Sequence, residues 1–111
     1  MVRLDKPNQF VESNQLILNI LNGSGAAETC SISAKVPPNC IAVLLTVKRY
    51  GGTGTLILYP CSGTQSITKT AAQFDLLLPI VNQEIKEECG TATDDFTICC
   101  TGYIIEGELK T

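Results

Sequence analysis

The chain has no histidine, no tryptophan, one methionine and only 5% aromatic residues. Without histidine, a serine or cysteine nucleophile lacks its usual base and a metal lacks its commonest neutral ligand. No CxxC pair is present either, so a structural zinc site is not expected. Charge is scarce as well: 17% of residues are charged, with a net of −3 and a pI near 4.8. Lys48-Arg49 is the only adjacent pair of cations, and phosphate neutralisation needs them clustered, so neither nucleic acid nor an anionic membrane is an expected partner. No apolar run approaches the roughly 18 residues of a membrane helix. Long stretches of helical periodicity are missing too, which argues against a parallel α/β sheet.

What remains is strand composition. From Val36 to Cys61 the chain reads VPPNCIAVLLTVKRYGGTGTLILYPC. Ile41, Val43, Leu45 and Val47 recur at every second position, the period of a strand whose alternate side chains meet one apolar layer. Tyr50-Gly51-Gly52-Thr53-Gly54 then supplies the glycines of a tight reversal, and Thr55-Leu56-Ile57-Leu58-Tyr59 resumes strand composition, so the segment predicts a β-hairpin. Pro37-Pro38 marks where its first strand begins, and Pro60-Cys61 where the second ends. Elsewhere, Leu16 to Leu21 is a continuous apolar run suited to a buried strand. Asn22-Gly23-Ser24-Gly25 ends it, read as a turn in preference to a glycosylation sequon.

Thr29 to Val36 alternates as a half-buried strand with Cys30, Ile32, Ala34 and Val36 on one face. Gln65 to Thr70 is polar and β-prone, and Phe74 to Val81 is an apolar strand that Asp75 and Pro79 place near a sheet edge. Asn82 to Glu88 is too short for an independent helix and reads as a short strand or a single turn. Gly90 to Asp95 is a turn. Phe96 to Ile105 closes the set, with Phe96, Ile98, Cys100, Gly102 and Ile104 assigned to one face, and Gly107 to Thr111 follows as a polar tail. About seven or eight short strands describe an all-β antiparallel β-sandwich, jelly-roll or immunoglobulin-like. The chain divides into residues 1–15, an N-terminal arm or edge segment, and residues 16–111, a single sandwich domain.

Residues 36 to 105 resemble a β-sandwich module of secreted and cell-wall-associated actinobacterial proteins. The likeness rests on Val36-Pro37-Pro38-Asn39, Ala42-Val43-Leu44-Leu45-Thr46-Val47, Leu56-Ile57-Leu58-Tyr59-Pro60-Cys61, Cys89 and Thr101-Gly102-Tyr103-Ile104. Cys40, Cys99 and Cys100 depart from that pattern, as does Ile104 in place of a terminal aromatic. The resemblance implies the fold and one disulfide, Cys61 to Cys89, and transfers no active site. Six cysteines in a short chain point independently to disulfide stapling in an oxidising destination. Cys30, Cys40, Cys99 and Cys100 are left to pair among themselves or to pack as buried thiols; Cys30 with Cys100 is preferred because both lie on faces assigned to the core.

Candidate sites are few. Glu84, Glu87, Glu88, Asp94 and Asp95 crowd one region, but their spacing is not that of a calcium loop, and solvated acidic turns are the simpler reading. Tyr50, Tyr59, Tyr103, Phe10, Phe74 and Phe96 are more economically core or rim packing than a sugar platform. No catalytic residue, metal ligand or cofactor site is expected, and the chain is not read as an enzyme. MVRLDKPNQFVESNQ has no signal-peptide character, so either a leader has been removed or the protein meets oxidising surroundings after release from a cell.

Two classes of function follow. The first is a structural protein on a virion surface, a bacteriophage capsid cement or decoration protein. It would bind shell subunits, or copies of itself, through Met1 to Asn14, with Phe10 and Val11 as contacts, and through sheet edges. The alternative, favoured by the resemblance, is a secreted or cell-surface module binding wall glycan.

Overall fold

The computed structural model describes residues 3–20, 25–52, 54–89 and 95–110. The expected turn at Asn22-Gly23-Ser24, most of the turn at 90–95, Asp94 and Thr53 lie outside them. Ten strands are present among the described residues: β1 (Arg3–Lys6), β2 (Gln9–Ile20), β3 (Ala27–Ser31), β4 (Cys40–Gly51), β5 (Leu56–Tyr59), β6 (Ile67–Lys69), β7 (Gln73–Pro79), β8 (Glu84–Cys89), β9 (Asp95–Ile105) and β10 (Glu108–Lys110). A single 3₁₀ turn at Pro60–Ser62 follows β5. Eight strands form two antiparallel four-stranded sheets, ordered β2-β9-β4-β7 and β3-β8-β5-β6. β5 and β6 are the only consecutive strands that pair within them. The chain otherwise passes from sheet to sheet, and this strand order is that of a jelly roll, not of an immunoglobulin domain.

That topology corrects the expected hairpin. β4 pairs with β7 and β9, whereas β5 pairs with β6 and β8 in the facing sheet. Glycines after Tyr50 do reverse the chain, with Gly52 at φ 79°. Their composition, however, carries no information on whether the return strand pairs beside its predecessor or crosses over it. The proline punctuation holds: Cys40 N–H donates to the Pro37 carbonyl at the foot of β4, and β5 ends where Pro60 begins its turn.

The core is what the two inner faces bury between them. Val43, Leu45 and Val47 of β4 are fully buried, as are Leu78, Ile98 and Cys100 in the same sheet and Leu56 and Leu58 of β5. Burying each large aliphatic side chain stabilises the fold by about 1.5–3 kcal/mol before entropy is counted. Ile32 and Val36 join the core from a turn and not from a strand, because β3 stops at Ser31. Hydrogen bonds from Ile32 N–H to the Gln83 carbonyl and from the Gln83 side chain to the Val36 carbonyl hold that turn against the loop before β8.

β9 also departs from simple alternation. Leu44 lies opposite Gly102, but Leu45 lies opposite Cys100, so Thr101 is an extra, bulged residue. The bulge reverses the phase: Phe96, Ile98 and Cys100 point inward, then Tyr103 packs on the core while Gly102 and Ile104 belong to the outer face. Strict period-2 counting placed Gly102 and Ile104 with Cys100, and one inserted residue is enough to undo it. Beyond Gln9 and Ile105 the terminal segments continue as a separate two-stranded ribbon, β1 with β10, where a polar tail was expected. The residues read as an arm or edge segment thus hold β1 and the start of β2, which is an edge strand of its sheet and runs unbroken past residue 15. The molecule is elongated, 53 × 27 × 23 Å.

Candidate functional site

The outer face of the β2-β9-β4-β7 sheet is built by strands that are apolar on both sides. Because Val43, Leu45 and Val47 face the core, Ala42, Leu44, Thr46 and Lys48 face outward, and the register assigns their neighbours. One row across the sheet is Phe10, Ile104, Ala42 and Pro79; the next is Glu12, Gly102, Leu44 and Leu77. Leu16, Cys99, Thr46 and Asp75 form the third, and Asn19, Thr97, Lys48 and Gln73 the fourth. The face therefore grades from apolar at the Phe10 end to polar at the Lys48 end. Phe10 is 53% exposed, Leu16 52% and Leu77 48%.

Phe10 is held in place by what Gly102 lacks. Its ring lies over that glycine so closely that any Cβ there would run into the ring's outer carbons. An aromatic side chain laid across a sheet glycine replaces the packing that the missing side chain would have given. Val11, named with Phe10 as a contact, points the other way: it is half-buried and pairs with Tyr103. Toward the polar end of the face Thr46 Oγ1 donates to Asp75 at 2.8 Å and Thr97 Oγ1 to Asn19 at 3.4 Å. Leu44 and Leu77 were not singled out from the sequence. The signal was available, for Val43-Leu44-Leu45 and Leu76-Leu77-Leu78 are unbroken apolar triplets, and strands covered on both faces read that way.

The cysteines do not staple the sandwich; all six are thiols. Cys89 lies opposite Leu56, while Cys61 lies past Tyr59, which is opposite Lys86. At least three strand residues, about 10 Å, separate them, and a disulfide needs Cα atoms within about 7 Å. Cys61 is exposed on its turn, with a φ of 53°. Cys30 and Cys100 stand on facing sheets, each thiol turned to its own strand, to the Ser31 carbonyl at 3.5 Å and the Gly102 carbonyl at 3.1 Å. Cys40 is buried and bonds the Ala42 carbonyl, whereas Cys99 lies on the outer face, so those two cannot meet. Burial pushes the Cys40 and Cys100 thiols above their ordinary pKa, and proximity to Cys100 raises Cys40 further. They stay protonated and pack as small apolar groups.

The other sheet hides the feature that sequence reasoning missed. Glu87, assigned to a solvated acidic turn, is 3% exposed and is the buried charged residue among those described. β8 alternates, so Ile85, Glu87 and Cys89 face inward and Glu84, Lys86 and Glu88 outward. Beside Glu87 on its two neighbouring strands stand Leu58 and Glu28. Desolvation, with the charges of Glu28 and Glu88 adding to it, raises the Glu87 carboxyl from an ordinary 4.5 to about 7. On the outer side, Tyr59 donates to Glu88 at 3.2 Å and Lys86 sits 4.7 Å above the Tyr59 ring. Burial, and then the neighbouring Glu88, holds the Tyr59 phenol above its usual range.

Other aromatics are spread out: Phe96 is core, Phe74 packs on the core beneath Lys69, and Tyr50 is 68% exposed beside Lys48. Among the described residues no group of three or more acidic or cysteine side chains is arranged to hold a metal ion. No protein-family model, curated protein or solved structure matches the chain.

Proposed function

We propose that this jelly roll is a non-enzymatic structural protein that attaches to protein subunits of a particle shell through the Phe10 end of its β2-β9-β4-β7 sheet. The observation that carries the reading is the apolar patch spread over two adjacent rows of that sheet, Phe10 with Ile104 in one and Leu44 with Leu77 in the next, of which Phe10 and Leu77 are exposed and Ile104 and Leu44 half-buried. Leucine on the water side of a strand adds nothing to the core, so its use there is explained by a surface that covers it. Protein fits such a cover better than nucleic acid does, because Lys48 is the one cation in the four rows and stands at their polar end.

Four strands at about 4.8 Å and eight residues at about 3.3 Å give a face of roughly 500 Å². That is below the roughly 800 Å² each partner gives to a standard interface. A single attachment would be weak, and repetition over a lattice of identical subunits converts weak contacts into stable binding. A capsid cement or decoration protein on a virion surface meets that description, with the jelly roll bridging neighbouring subunits so that swelling must break both contacts. The experiment is sedimentation of the purified protein with intact particles from the source that encodes it. Saturable co-sedimentation that Leu77→Asp abolishes is the expected result. A chain that stays in the supernatant, or saturable binding to a defined wall glycan on an array, overturns the reading.

A further inference from the structure

Among the described residues Glu87 is the one charged side chain that the sandwich closes over, and nothing in the docking reading uses it. Among the described residues, no strand packed around it offers a counter-charge. On β3 the side chain opposite is Glu28, another carboxylate; on β5 it is the apolar Leu58. On β8 itself, Glu88 and Lys86 lie on the outer side, engaged by Tyr59 and by the Gly63 carbonyl. The inner face of the opposing sheet presents Cys40, Cys100 and Tyr103 as its titratable groups. Two cations belong to inward-facing register positions. Arg49 is taken by the carbonyls of Gly54 and Thr70, and Lys69 by the ring of Phe74.

We propose that Glu87 is a proton-operated latch on β3: with its carboxyl protonated the edge strand stays closed on the sandwich, and loss of that proton loosens the strand. β3 is the element that yields because it is five residues long, pairs only with β8 and is exposed over most of its length. It also carries the like-charged Glu28 against the group that ionises. Opening there lets water reach the carboxylate without disturbing β5 or the other sheet, and an ionised carboxylate gains most from that access. The midpoint near pH 7 puts the device in the range between mildly acidic and mildly alkaline surroundings.

Backbone hydrogen exchange, corrected for the intrinsic pH dependence of each amide, tests the latch in the full-length chain. Protection of β3 amides should fall about tenfold or more between pH 5.5 and 8, while β4 and β9 keep theirs. Glu87→Gln should abolish the fall, and Glu28→Gln should move it to lower pH. Equal protection of β3 at the two pH values overturns the proposal. Should Glu87→Gln fail to fold, carbon NMR titration of the Glu87 carboxyl in the unsubstituted chain decides: a midpoint near 7 supports the latch, and one near 4.5 overturns it. Neither outcome bears on particle binding, so the two proposals stand or fall separately.

Discussion

The two sheets of this sandwich spend their hydrophobic residues differently. β2, β9 and β4 run to 11 or 12 residues, and their sheet is apolar within and, at one end, apolar outside too. The facing sheet is made of strands of three to six residues, has paired ionic and phenolic side chains outside, and admits a carboxyl into its interior. Strands that exceed what the core requires are suited to a second surface, whereas a short-stranded sheet with an acid inside is suited to local opening. On the two proposals made above, the first sheet would serve as scaffold and docking face and the second as the part of the fold that responds to pH.

The largest effects should come from the shared core. Phe96→Ala in the first sheet should cost about 3–5 kcal/mol, and Leu58→Ala in the second about 2–4, measured by urea unfolding. A greater loss at Leu58 would reverse the ranking of the two sheets. Next comes pH. A carboxyl with a folded pKa near 7 and an ordinary value of 4.5 contributes its stability fully below pH 4.5 and has lost it once the pH rises above 7. Glu87→Gln should therefore raise stability by about 2–3 kcal/mol at pH 8 and leave it nearly unchanged at pH 4.5. A pH-independent effect would mean that the second sheet is no more responsive than the first.

Gly102→Ala should cost about 1–3 kcal/mol by driving Phe10 off its seat. The cost should largely vanish in the Phe10→Ala background, a coupling that a double-mutant cycle reads directly. Smallest of all should be Leu77→Asp and Leu16→Asp, within about 0.5 kcal/mol of the parent in stability yet defective in particle attachment. If either unfolds the chain, the outer face belongs to the fold and not to a partner.

Much of this organisation could be read from one-dimensional patterns. Alternation in β4, prolines at its foot and after β5, and the edge position of the Asp75–Pro79 strand are local consequences of backbone geometry, and they appear where period and proline placed them. Phe10 and Val11 stood out together as apolar residues in a polar segment, and strand alternation sends only Phe10 to the outer face. Pairing partners were not legible, since a reversal at Gly51-Gly52 suits a hairpin and a crossover equally. Nor were the thiols: six cysteines suggested staples, but spatial separation and opposed faces decide whether sulfurs can meet. Glu87 was read with its acidic neighbours because alternation along EIKEEC leaves open which set of side chains turns inward.

Strand periodicity and turn chemistry depend on neighbours within a few residues, so the chain alone specified an antiparallel sandwich. Everything that joins distant residues came from assembly of the sheets: the jelly-roll order, the Thr101 bulge that turns Gly102 outward beneath Phe10, and the burial of Glu87 opposite Glu28. Those choices depend on the packing of one sheet against the other, and no local pattern records which face meets which.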